Sequence, residues 1–318
     1  MTNFRDHHPR NAAAAATRRH VLAISAGLAI GGVFAAPPAG ARSLPMATRP
    51  IPHSGEQLPV VGLGTAANFS VGADEGRRAA LGEVIERLIE GGGKLIDTAS
   101  SYGAAEEVLG AIIPPEARGR LFLATKLENA DMASGAPELR RSLDRLRTGQ
   151  VALLQLHNVS RASQSLAAFR DWKAEGLCRY VGITTTSDRD YAAAEAILRR
   201  EKPDFLQVDY SLAERKAETR LLPAAAEVGA AVLTALPFGR RSIFRAVAGR
   251  TLPDWAEAFD AATWPQFFLK YLLGHEAVTA VIPGTGNPDH MADNLAAGRG
   301  RLPDAAQRRA MAAFFDAL

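Results

Sequence analysis

The stretch Leu95-Ile96-Asp97-Thr98-Ala99-Ser100-Ser101-Tyr102-Gly103 (LIDTASSYG) decides how the rest of the chain is read. An apolar run ends on an acid, small polar residues follow, and then a phenol. Buried parallel strands that surface at one end produce runs of this kind. Seven more occur along the chain: PVVGLGT, LFLATK, VALLQLH, YVGIT, FLQVDY, AAVLTAL and VTAVIPG. Helix-like segments such as EGRRAALGEVIERLIEGG and APELRRSLDRLRT lie between them. The strand ends fall near Thr65, Asp97, Lys126, His157, Thr184, Asp209, Ala235 and Pro283, spaced 25 to 32 residues apart, with a last gap of 48. A repeat of about thirty residues is one strand plus one helix. Eight such units predict one α/β domain, a (β/α)8 TIM barrel over residues 42–318. The long last gap leaves room for an extra helical segment around DWAEAFDAATWPQFFLKYLL. RPIPHSGEQLPVV carries a Ser-Gly turn between two extended runs, which predicts a small β-hairpin ahead of the first barrel strand.

The 318 residues are 47% hydrophobic and 22% charged, an ordinary globular composition. Residues 1–41 differ from the rest. TRRHVLAISAGLAIGGVFAAPPAGA has an arginine pair, an apolar run ending at Phe34, and an Ala39-Gly40-Ala41 ending, the pattern of a secretory leader. The order Thr17-Arg18-Arg19-His20-Val21-Leu22 resembles a twin-arginine signal, which implies the twin-arginine export machinery as a partner during transport and a periplasmic location. The apolar run falls short of the ~20 residues of a membrane span and is interrupted by glycines and Pro37-Pro38, so no stable membrane anchor is expected. The segment carries Arg5, Arg10, Arg18 and Arg19 against Asp6, a net +3 that accounts for the whole chain's +3. The remainder is neutral overall and gives no sign of nucleic-acid binding. The one cysteine, Cys178, excludes an internal disulfide and reads as a small buried hydrophobe.

GLGTAA, Gly62 to Ala67, matches a loose dinucleotide fingerprint, G-x-G-x-x-A. A polar loop, ANFSVGADEG, separates it from the next helical pattern, and Asp97 comes too late for the usual acid. A Rossmann unit is therefore disfavoured.

In an eight-stranded barrel the C-terminal strand ends share one rim, where active sites sit. Asp97, Lys126 and His157 end successive strands, and Tyr102 follows in the next loop. Tyrosine's ordinary pKa is ~10. A neighbouring Lys126 ammonium is expected to lower it, with Asp97 holding the lysine. His157 would orient a carbonyl oxygen by a hydrogen bond, and Tyr102 would protonate that oxygen as hydride reaches the carbon. No residue can supply hydride, so a nicotinamide cofactor is implied. His53, His157, His275 and His290 show no close ligand spacing, and no metal is expected.

With GLGT, LIDTASSYG, LATK and LLQLH in this order, the sequence resembles the aldo-keto reductase superfamily over nearly all of the chain beyond the leader. The resemblance implies Asp97, Tyr102, Lys126 and His157 as a catalytic tetrad, a hairpin plugging the barrel base, and NADP(H), with NAD(H) possible, across the rim. Its cofactor segment matches VIPGTGNPDHMADN, where Asn287 reads as an N-cap with Pro288 and Asp289 behind it, leaving backbone N–H groups for a phosphate. The positions so implied are Gly64, Thr65, Thr184, Thr185, Gln207, Pro237, Phe238, Gly239, Arg240, Gly284, Thr285, His290 and Asn294, with Arg241 beside them. Gly284 and His290 stand where many members carry lysine and arginine, so discrimination between NADP(H) and NAD(H) is expected to be modest. Ala235 replaces a common stacking tyrosine, for which Phe238 is the substitute. Phe69 and the loop LENADMASGA are the expected substrate walls. The implied activity is reversible reduction of a small aldehyde or ketone. The alternative is a low-turnover, cofactor-binding regulatory subunit on the same fold.

Overall fold

The computed structural model describes residues 44–318, and the leader read in residues 1–41 lies outside them. Two short strands, β1 (Thr48–Pro50) and β2 (Gln57–Pro59), pair antiparallel with Thr48 opposite Pro59. Eight strands follow: β3 (Leu63–Gly64), β4 (Leu95–Asp97), β5 (Phe122–Leu127), β6 (Val151–Leu156), β7 (Cys178–Thr185), β8 (Phe205–Asp209), β9 (Ala231–Ala235) and β10 (Val278–Val281). They pair in parallel in sequence order. Parallel bridges Val61–Val281 and Gly64–Gly284 join the last strand to the first. Gly62 N donates to Val281 O at 2.9 Å and Gly64 N to Pro283 O at 3.2 Å across that seam. The sheet thus curls into the expected (β/α)8 fold, and no edge is left there for another chain to extend.

Alternation along the strands sorts the side chains. Leu95, Phe122, Ala124, Leu153, Phe205, Leu233 and Ala280 form an inner cluster. Ile96, Leu123, Leu154, Leu206, Val232 and Val281 face the helices in an outer cluster. Ile51 and Leu58, from the hairpin, join the inner cluster, so the hairpin closes the base of the barrel as expected.

The helix Glu75–Glu90 buries Leu81, Val84, Ile85 and Leu88, one stripe at helical spacing, and starts at Asp74, whose carboxylate accepts from Arg77 N at 3.0 Å. The helix Met132–Leu146 starts the same way at Asp131. It begins inside LENADMASGA, so the expected wall loop shortens to Glu128–Asp131 because Asp131 caps a helix there. The last gap holds a 3-10 turn, Asp254–Phe259, and the helix Trp264–Leu273. Cys178 is buried, which pushes its thiol up to about 12. No helix among the described residues is long and apolar enough to cross a membrane.

Candidate active site

Because inward positions recur every second residue, β4 turns Asp97 inward, β5 turns Lys126 inward, β6 turns Gln155 inward and β8 turns Gln207 inward, all above the apolar inner cluster. All four are buried, Lys126 completely. Lys126 Nζ lies 2.5 Å from Asp97 Oδ2 and 2.8 Å from Thr98 O. Gln155 Nε2 and Gln207 Nε2 donate to Asp97 Oδ1 at 3.1 and 2.9 Å. Asp97 thus accepts from three side-chain donors, which is what a buried carboxylate needs. The residue types at 97 and 126 were legible in the sequence. Gln155 was missed, although its place two residues before His157 on an inward-facing register was a usable signal.

Tyr102 lies above this pair. Lys126 Nζ is 4.9 Å from the centre of its ring. The Tyr102 and His157 rings meet edge to face, 5.7 Å between centres and 76° between planes. Lys126 and His157 therefore flank the phenol, with Asp97 paired to the lysine. The direction of the Tyr102 shift differs from the sequence expectation. Burial raises its pKa above the ordinary value; Lys126 pulls it down and Asp97 pushes it back up. The lysine's charge is already half spent on Asp97, so desolvation wins and the phenol keeps its proton at neutral pH. His157 Nδ1 lies 2.5 Å from Glu128 Oε1 and 3.3 Å from Ser101 Oγ.

A groove of about 680 Å³ lies beside the ends of β9 and β10, lined in part by Asn68, Arg77, Phe238, Arg241, Phe244, Gly284, Thr285, His290 and Asn294. Five of the sequence-predicted cofactor positions are therefore in one wall: Phe238, Gly284, Thr285, His290 and Asn294. Arg241 faces the groove, while Arg240 does not line it. A side chain at Gly64 would come within 2.8 Å of Ile282 O, and one at Gly284 within 3.1 Å of Gly64 O across the barrel seam, which accounts for both glycines. Phe238 packs on Phe244 at 5.0 Å, and both rings line the groove.

Other predicted positions are engaged elsewhere. Thr65 Oγ1 donates to Asp97 O at 3.0 Å and ties the first strand end to the second. Thr184 Oγ1 accepts from Asn158 N at 2.7 Å, Thr185 Oγ1 donates to Ser187 O at 3.3 Å, and Gln207 holds Asp97. Gly239 and Arg240 both have positive φ, in the turn after Pro237 and Phe238. Two expectations are corrected. Phe69 is fully buried in the outer cluster, so none of its surface is left to wall a substrate pocket. The helix Pro288–Ala296 is capped by Asn287 as expected, but the cap itself uses the first-turn donors. Asp289 N and His290 N both reach Asn287 Oδ1, and Met291 N reaches Asn287 O. A phosphate there would meet side chains rather than free N–H groups. Arg77, in the first turn of Glu75–Glu90, supplies a cation that sequence reasoning missed.

An eight-stranded α/β barrel with a buried Asp–Lys pair beneath a rim tyrosine defines a class, and the chain belongs to it: residues 60–311 match the Aldo/keto reductase family. The protein is in the class of oxidoreductases. It is similar to the uncharacterized oxidoreductase YqkF of Bacillus subtilis, 25% identical over 292 residues, covering 80% of this chain and 92% of that one. It is 30% identical over 229 residues to the uncharacterized oxidoreductase C215.11c of Schizosaccharomyces pombe, covering 67% and 72%. Among solved structures, an aldo/keto reductase from Klebsiella pneumoniae in complex with NADP and acetate superposes with a TM-score of 0.70 at 25% identity, covering 82% of this chain and 93% of that one.

Proposed function

We propose that the protein reduces a small aldehyde or ketone to the alcohol, reversibly, with NADP(H). The observation that carries the reading is the fully buried Lys126, 2.5 Å from Asp97 and 4.9 Å from the Tyr102 ring centre, at the mouth of the barrel. A buried ammonium under a phenol costs desolvation, and a proton-transfer role accounts for keeping it there.

The groove fits a nicotinamide dinucleotide in three respects. It encloses about 680 Å³, it has an aromatic patch at Phe238 and Phe244, and it gathers Arg77 and Arg241, with His290 beside them, where a phosphate needs cations. When bound, the cofactor supplies hydride to the substrate carbon. Tyr102, held protonated by burial, gives its proton to the carbonyl oxygen as that oxygen gains charge. Lys126 then faces the phenolate that remains and stabilises it, while Asp97, Gln155 and Gln207 fix the lysine in place. His157 orients the oxygen. In the reverse direction the same phenolate takes the alcohol's proton.

The Klebsiella relative's NADP complex supports the cofactor choice. Purified protein is mixed with NADPH and a panel of aldehydes and ketones, and absorbance at the nicotinamide band is followed. Turnover of at least one carbonyl is expected. NADPH binding without turnover of any would replace this reading with the cofactor-binding regulatory subunit. We also place the protein in the periplasm, on the arginine pair and apolar run of residues 1–41. Arg18→Lys with Arg19→Lys should hold it in the cytoplasmic fraction, and unchanged export would remove the twin-arginine route.

A further inference from the structure

Glu128 lies one residue beyond the end of β5 and two past Lys126, at the rim. Its backbone is pinned: Glu128 N donates to Glu138 Oε1 at 3.0 Å. That same oxygen accepts from Ser100 Oγ at 2.5 Å, and Asn129 Nδ2 donates to Glu138 Oε2 at 3.0 Å. Glu138 is itself buried. The Glu128 side chain, about half exposed, then reaches His157 Nδ1 at 2.5 Å.

The chemistry of the partners settles where the ring proton is. Burial alone would raise the Glu128 pKa, but hydrogen bonds from His157 and Ser101 outweigh it and hold the carboxyl below its ordinary value. An ionised carboxylate only accepts. Nδ1 therefore carries the hydrogen and donates it to Glu128. Nε2, on the other side of the ring, has no protein partner among the described residues. The edge-to-face contact with Tyr102 restrains the ring plane from the side of the phenol.

We propose that Glu128 is the positioning residue of His157, fixing its Nδ1–H tautomer and turning Nε2 toward the substrate oxygen. The neutral ring then presents a lone pair, which suits the hydroxyl of an alcohol entering oxidation. Donation to a carbonyl in reduction requires a second proton on Nε2, so the donor form is an imidazolium paired with Glu128. The role in turnover rests on the proposed carbonyl reduction; the tautomer does not.

The test uses the full chain labelled with 15N-histidine. In the neutral ring of His157, assigned by its loss in His157→Gln, Nδ1 should give the protonated and Nε2 the unprotonated nitrogen signal. Glu128→Ala should move the ring to the opposite or a mixed tautomer, and Glu128→Gln, which keeps an acceptor oxygen, should restore the original signals. Glu128→Ala should lower kcat about tenfold to a hundredfold, the range for a charge-assisted hydrogen bond, with NADPH affinity unchanged. In a His157→Gln background the same change should cost nothing further. A protonated Nε2 in the neutral wild-type ring, or an equal loss from Glu128→Ala with and without His157, would overturn the proposal. Absence of turnover with every carbonyl would sink the functional reading alone, since the nitrogen signals need no substrate.

Discussion

The two sides of the barrel mouth are built by different means. Around β4, β5, β6 and β8, side chains fix one another: Asp97 accepts from Lys126, Gln155 and Gln207, and each donor is buried. Beside β9 and β10, the backbone does the shaping. Leu236, Gly239, Arg240 and Arg241 all have positive φ, at 50, 51, 52 and 69°. For the three non-glycine residues this costs about 1 kcal/mol or more each. The groove's cations, Arg77 and Arg241, are exposed, whereas the ion pair opposite is dry. The lesson is one of tolerance. A closed polar network fails if any member is changed, while an open groove can move its cations from one loop to another and still bind an anion.

The closed side should therefore show the larger effects. Tyr102→Phe keeps the ring, its contact with Lys126 and its packing on His157, and removes only the transferable proton. A loss of about 10²–10⁴ in kcat for carbonyl reduction is expected, the usual worth of a general acid. NADPH affinity, read by fluorescence titration, should not change. Near-normal reduction by this variant would separate the polar network from the chemistry.

Lys126→Met leaves Asp97 buried with two amide donors and no cation. Breaking a buried pair on one side typically costs about 3–5 kcal/mol. Thermal melting should show a large loss for Lys126→Met, and adding Asp97→Asn should recover part of it while activity stays lost. If the single variant melts like the wild type, Asp97 is not the confined charge its surroundings indicate.

The same contrast explains what the sequence made legible. Asp97, Tyr102, Lys126 and His157 could be read because chemistry restricts residue type and the strand period restricts position. The barrel, its base hairpin and the Asn287 cap were legible for the same reason: hydrophobic spacing and turn residues carry them. Glu128 and Gln155 lay on readable registers but became meaningful only once their partners were in place. The place of Arg77 in the groove wall and the burial of Phe69 in the outer cluster depended on how loops fold over the rim, which no local pattern encodes. The use of the helix's first N–H groups by its own cap was equally invisible, since Asn287 predicts a cap and not how many donors it takes.

On the open side, Arg77→Ala and Arg241→Ala should each weaken NADPH binding by about tenfold to a hundredfold, if each donates one charge-assisted hydrogen bond to phosphate. Whichever reads the 2′-phosphate should leave NADH affinity untouched, and one that contacts the pyrophosphate should weaken both. Fluorescence titration with both cofactors distinguishes these. Loss of neither would mean that His290 and the backbone of the strained turn suffice, and that the tolerance of this side is wider still.

The smallest effect tests the boundary between the two sides, where Asp209 ends β8. Burial raises its carboxyl to about 6, with Arg240 pulling it down and Glu214 pushing it up. The unfolded value is near ~3.9, so the folded protein binds the extra proton between roughly pH 4 and 6. Stability attributable to this group is then intact below pH 4, falls as pH rises through 6, and is level above that. Asp209→Asn cannot ionise. It should melt like the wild type at pH 4 and at a higher temperature at pH 7.5, by a few degrees at most, because the group is only partly buried. Arg240→Ala should act in the opposite sense at pH 7.5 and not at pH 4, since it removes the charge that eases ionisation of Asp209. An Arg240→Ala variant equally destabilised at both pH values would show that this arginine serves the strained turn alone, and that the two sides of the mouth meet at Asp209 without an electrostatic link.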